Sequence, residues 1–245
     1  MSARVTLATT ERVLTSLRRD PRTLLLLFAV PVMLEALVRW IYASNDAVFQ
    51  HIGIPLLGIF PLISMFLVSC VTMLRERSTG TLERLMTLPV HKVDLLIGYA
   101  IAFAGVAAVQ AALTSGVAIA LLGLTVHGST AAVVLLAVLN AILGMSLGLG
   151  VSAFARSEFQ AVQFFPAMML PQLLLCGLLA PRDGMATLLR WLSDVLPMTY
   201  AYDALTRVSA SASWSNDLGV DLTVIVGVMV LALVLGAATL PRRTA

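Results

Sequence analysis

Residues 53–74, GIPLLGIFPLISMFLVSCVTML, carry no charged side chain, and they set how the rest of the chain must be read. At 1.5 Å per residue a helix of this length covers about 33 Å, enough to cross roughly 30 Å of hydrocarbon. Comparable apolar blocks occupy residues 23–42 before it and 94–122, 130–155, 160–180 and 218–240 after it. The chain therefore reads as an all-α membrane protein of six transmembrane helices. Composition agrees. Of 245 residues, 59% are hydrophobic and 12% charged, whereas soluble domains carry about one quarter charged residues.

The net charge of +3 does not point to nucleic acid, because the bases sit in short segments between apolar blocks with no interleaved aromatics. They sort by side. Arg4, Arg12, Arg18, Arg19, Arg22, the run from Arg75 to Lys92, Arg156, Arg242 and Arg243 fall in one set of segments; the other set is richer in aspartate. By the positive-inside rule the basic set, with both termini, is cytoplasmic. Residues 1–22 form a polar, basic amino-terminal segment without a cleavable signal, which puts Val5, Leu7, Val13, Leu14 and Leu17 loosely on one face of an interfacial helix. Residues 23–240 are the six-span domain and 241–245 a cytoplasmic tail.

Pro31, Pro55, Pro61, Pro166 and Pro171 lie inside apolar blocks, where proline removes a backbone donor and frees a carbonyl. Gly144, Gly148 and Ser152 repeat at four-residue spacing and predict close helix packing. Gln110, Asn140, Gln163 and Gln172 are expected to hydrogen-bond between helices, with Gln163 and Gln172 also candidates for a substrate pathway. Glu35 and Arg39 stand one turn apart in the first block, either as a self-neutralising pair or with Glu35 facing a transport cavity that attracts cationic or amphiphilic compounds. Cys70 and Cys176 lie in apolar blocks and suggest neither a disulfide nor a metal site. His51, His91 and His127 are scattered, and no nucleophile elbow or metalloprotease motif occurs, so no catalytic residue is expected.

The most specific segment is RERSTGTLERLMTLPVHKVDLLIGY, residues 75–99. Ser78 or Thr79 is placed to cap a short helix whose first turn includes Glu83, while Leu82, Leu85, Met86 and Leu88 give it an apolar edge too small to be a core. That edge fits a partner's cleft. Glu76, Gly80, Thr81, Leu82, Glu83, Leu85 and Pro89 resemble the signature of ABC type-2 exporter permeases, a charged turn followed by Gly-Thr-Leu-Glu, an apolar pair and proline. The likeness extends to residues 189–208, LRWLSDVLPMTYAYDALTRV, where Leu189, Trp191, Leu192, Pro197, Tyr200, Asp203, Ala204, Leu205 and Arg207 match in order.

The resemblance implies a coupling helix within residues 75–92, seated on a separate ATPase subunit present in two copies, and an outer re-entrant segment over residues 181–217. It also implies a second permease chain alongside, as a homodimer or a related heterodimer. The outer segment shows the matching pattern: Met185, Leu188, Leu189, Leu192, Val195 and Leu196 form an apolar stripe, and Asp203 and Arg207 sit four apart as a surface pair. No phosphate-binding Gly-x-x-x-x-Gly-Lys loop occurs in the chain, so ATP and magnesium are expected on the partner and no cofactor here. The expected activity is export of a hydrophobic or amphiphilic compound, a drug or antibiotic first, from a bacterium across its cytoplasmic membrane. Lipid or polysaccharide-precursor export and a proton-coupled carrier are the alternatives.

Overall fold

The computed structural model describes residues 3–80, 92–155, 157–211, 213 and 215–238. Among these the regular structure is helical throughout: α1 (Ala3–Arg18), α2 (Pro21–Ile41), α3 (Asp46–Ser78), α4 (Lys92–Ala120), α5 (Thr130–Val151), α6 (Glu158–Leu175), a 3₁₀ turn (Arg182–Gly184), α7 (Thr187–Val195), α8 (Pro197–Ala210) and α9 (Asn216–Ala238). Local chemistry sets the starts. Asp20, Asn45, Ser129 and Ser157 each accept a hydrogen bond from the backbone three residues on, while Pro21 and Pro197 occupy first helical positions where no donor is needed.

Among the described residues five helices, α2, α3, α4, α5 and α9, are long and apolar enough to cross a membrane. The protein is a multi-pass membrane protein. α6 covers most of the fifth expected block, residues 160–180, but ends at Leu175, five residues early, and its 18 residues include Glu158, three glutamines and two prolines. The chain leaves the helix there through Gly177, whose φ of +105° is open to glycine at little cost. A Cβ at that position would press on the Tyr202 ring, at 3.1 Å.

α3 and α5 make the central pair, with about two thirds of their apolar stretches buried (67% and 61%), against 17% for α2 and 22% for α9 at the periphery. The predicted glycine packing is what joins them. A Cβ at Gly144 would fall well inside contact distance of the Leu62 carbonyl, one at Gly148 would do the same at Phe66, and Ser69 Oγ donates to the Met145 carbonyl at 3.1 Å. α3 has 33 residues, about 50 Å of helix, so it extends beyond the apolar layer at both ends.

Candidate functional site

At one end of the bundle, α3 leads into residues 81–91 and α4 leads out of them. The coupling positions Thr81, Leu82, Glu83, Leu85 and Pro89 lie outside the described residues; both flanks are described. α3 is closed by its own hydroxyls: Ser78 Oγ and Thr79 Oγ1 donate to the Arg75 carbonyl, at 3.0 and 2.9 Å, and Gly80 comes next with φ +70°. The short helix that Ser78 or Thr79 is expected to cap falls outside the described residues, while the described side-chain bonds of Ser78 and Thr79 run back into α3. They end the preceding helix, with Gly80 as its left-handed terminator.

α1 grips both flanks. Arg12 Nη1 lies 3.1 Å from each carboxylate oxygen of Glu76, its Nη2 donates to Tyr99 Oη, and its guanidinium stacks 5.5 Å from the Tyr99 ring centre. Thr10 Oγ1 donates to the Gly98 carbonyl at 3.1 Å, where a Cβ on Gly98 would collide with Thr9. Glu76 is thus half of a largely enclosed ion pair, with 14% of its side chain exposed. A second bridge, Arg75 to Glu158 at 3.1 Å, ties the same end of α3 to the start of α6. α1 thus ties the end of α3 to the start of α4.

From this junction a groove of about 710 Å³ runs along α2 and α3, with Phe165 of α6 on its far wall. Asp20, Arg75, Glu76 and Thr79 stand at the junction end, and Leu27, Val30, Pro31, Phe60, Leu67 and Val68 line the interior. The groove thus has a polar mouth and an apolar trough.

The opposite end is closed by α7 and α8. Arg182 joins Asp203 at 3.1 Å and Asp194 at 3.6 Å. Ser193 Oγ donates to the Leu175 carbonyl at 2.8 Å, and Tyr200 Oη to the Asp194 carbonyl at 2.6 Å. α8 then sinks into the core through Met198, Ala201, Ala204 and Leu205, all fully buried. The expected Asp203–Arg207 pair is not the one formed among the described residues. Arg207 turns to Asp217 at 2.7 Å and Asp221 at 3.1 Å on α9, because α8 packs beside α9 and leaves Asp203 facing Arg182. Burial pushes the Asp203 carboxyl up, while Arg182 and Arg207 pull it back.

A family model described as "ABC-2 type transporter" matches residues 4–208, spanning the α1 grip, the groove and the α7–α8 cap. The chain belongs to the ABC-2 type transporter family. Similar proteins include ABC transporter G family member 20 of Dictyostelium discoideum, 30% identical over 141 residues (58% of this chain, 19% of that protein). Two from Escherichia coli K12 are probable multidrug ABC transporter permeases: YbhR, 26% identical over 174 residues (71% of this chain, 47% of that one), and YbhS, 27% over 162 residues (65% and 43%). The chain spans less than half the length of these relatives.

The remaining candidate residues of this ABC-2 chain fall into distinct places. Gln163 is exposed on α6 but does not line the groove. Gln172 is buried and structural in its contacts, accepting from the Met198 amide at 3.3 Å and donating to the Met168 carbonyl at 2.9 Å. Glu35 is 1% exposed and faces Gly53 and Leu124 inside this chain rather than the groove, and among the described residues neither carboxylate oxygen has a hydrogen-bond partner. The self-neutralising Glu35–Arg39 pair is corrected as well: Arg39 reaches Asp46 at 3.4 Å and lies 5.0 Å over the Phe49 ring. Trp191 is exposed on α7, and Pro197 starts α8.

Sequence reasoning missed Arg12 and Tyr99. No local signal links Arg12 to Glu76, 64 residues on, although the Thr9, Val13, Leu17 spacing, all three buried, marks the face by which α1 docks.

Proposed function

We propose that this chain is the transmembrane subunit of an ATP-binding-cassette exporter, moving a hydrophobic or amphiphilic compound out of the cell with ATP hydrolysed on a separate subunit. A drug or antibiotic is the first candidate cargo, in keeping with the names of the two bacterial relatives. In this reading α6 is a sixth crossing, about 27 Å long, whose exposed Gln163, Pro166 and Pro171 are tolerated because a second permease chain covers them. Both termini face the cytoplasm of a bacterium, two ATPase subunits dock beneath, and this chain holds neither ATP nor magnesium.

The observation that carries the proposal is the double grip of α1 on Glu76 and Gly98. It makes residues 81–91 a handle: force applied there by a closing ATPase enters α3, and α3 forms a wall of the groove. Glu35, Gln163 and Gln172 enter the proposal differently. We assign Gln163 to the path as an exposed side chain of α6, whereas Gln172 ties α6 to α8 and Glu35 lies packed inside this chain.

The test is purification of the full chain from its native membrane in mild detergent. An ATP-binding-cassette ATPase should accompany the wild type, and Glu83→Arg should insert normally yet lose it. Retention of that ATPase by the variant, together with undiminished export in inside-out vesicles, would overturn the docking assignment.

A further inference from the structure

The corner between α1 and α2 carries three arginines within five residues, Arg18, Arg19 and Arg22. All three are exposed, and among the described residues none joins an ion pair. Arg4 and Arg77 likewise join no ion pair among the described residues, but neither lies at the corner. Arg12, Arg39, Arg75, Arg182, Arg190 and Arg207 each have a carboxylate partner. The acid inside the corner is already engaged: Asp20 accepts from the Thr23 amide at 3.2 Å and the Thr23 hydroxyl at 2.7 Å, as the cap of α2.

Leu25 fixes the depth of the corner. It is 64% exposed on α2, a membrane-spanning helix, so its side chain faces acyl chains. Arg22 lies nearly one helical turn before it, about 5 Å nearer the water. Guanidiniums at that level meet lipid headgroups. α1 points the same way. Its inward face is Thr9, Val13 and Leu17, whereas Leu7 and Leu14 stay exposed. Leu7, Leu14 and Arg18 are separated by seven and four residues, close to whole turns, and so share one outward lane. Glu11 lies beside that lane, along a shallow crevice shared with Leu7, Leu14 and Arg18.

We propose that the α1–α2 corner is a binding site for the headgroups of anionic phospholipids, with Arg18, Arg19 and Arg22 as its cationic contacts and Leu7 and Leu14 resting on the adjoining acyl layer. Charge complementarity selects this occupant: three cations outside any ion pair, at headgroup depth, attract phosphatidylglycerol more strongly than the zwitterionic phosphatidylcholine. The site is independent of the cargo and of the exporter reading, because neither transport nor ATP enters its formation.

The test is native mass spectrometry of the full chain, released from mixed phosphatidylglycerol and phosphatidylcholine nanodiscs, counting the lipid of each kind retained. The wild type should prefer phosphatidylglycerol, and each arginine replaced by glutamine should lower that preference about fivefold. Arg190→Gln, at the other end of the bundle, should leave it unchanged. The triple lysine variant, Arg18→Lys with Arg19→Lys and Arg22→Lys, should keep most of it, and added salt should weaken it in the wild type. If the glutamine variants do not insert, the salt series on the wild type decides alone. A preference indifferent to salt, or one lost equally in Arg190→Gln, would overturn the assignment.

Discussion

Gln110 of α4 donates a 2.8 Å hydrogen bond to the carbonyl of Leu27 in α2, the carbonyl four residues before Pro31. Proline has no amide hydrogen to offer that oxygen, so a side chain from a neighbouring helix satisfies it instead. The same Nε2 also reaches Ser64 Oγ of α3. One amide thereby joins three helices at the point where α2 would otherwise expose a buried acceptor.

Gln110→Leu should destabilise the chain by about 1–2 kcal/mol, the cost of an unpaired buried acceptor. In a Pro31→Ala background the backbone amide returns to Leu27, and the same substitution should cost less. Thermal unfolding of the four proteins in mild detergent gives the coupling; equal costs in both backgrounds would show that Pro31 and Gln110 are unrelated.

Gly144→Val should be severe, because the new side chain meets the Leu62 backbone rather than a movable side chain. Overpacking of this kind costs about 1–3 kcal/mol or more. Gly105→Ala and Gly116→Ala, in α4 with open space where a Cβ would stand, should be neutral or mildly stabilising. The comparison of melting temperatures separates close packing from a general intolerance of larger residues.

Glu35→Met should leave stability unchanged or raise it, since both carboxylate oxygens are buried without a hydrogen-bond partner among the described residues and the surrounding groups include Phe49 and Leu124. Its cargo profile should match the wild type if Glu35 acts only within this chain. A selective loss of cationic cargo would instead return Glu35 to the pathway.

Arg182→Ala should weaken the α7–α8 cap in a pH-dependent way. Burial already holds the Asp203 carboxyl above its ordinary value and Arg182 opposes that shift, so removing Arg182 moves it further up. A raised folded-state value favours the protonated acid: its contribution is fully present below the unfolded value of about 3.9 and fades as pH rises through the folded one. The gap in stability between wild type and variant should therefore widen from about pH 4 upward. A gap that stays constant across that range would place the effect of Arg182 elsewhere.

Much of this protein was legible along the chain. Apolar length alone located the five strongly apolar spanning helices to within a few residues at most ends, because a helix must satisfy its own backbone in lipid and needs a set number of residues to cross it. The Gly144–Gly148 spacing announced a close contact, and the order of degenerate motifs announced the family. The α6 block was less legible, since its glutamines and prolines dilute the length signal on which the reading depended.

What the linear order could not decide was which distant groups meet. Arg12 with Glu76, Arg182 with Asp203, and Gln110 with the carbonyl freed by Pro31 are separated by 64, 21 and 83 residues from the partners they bond. Nearest-neighbour spacing suggested Asp203 with Arg207 and Glu35 with Arg39, and the packed chain chose otherwise for both. Hydropathy acts residue by residue and can be summed from a sequence, whereas a buried polar contact depends on which helix faces turn toward each other, and that is settled only when the bundle packs.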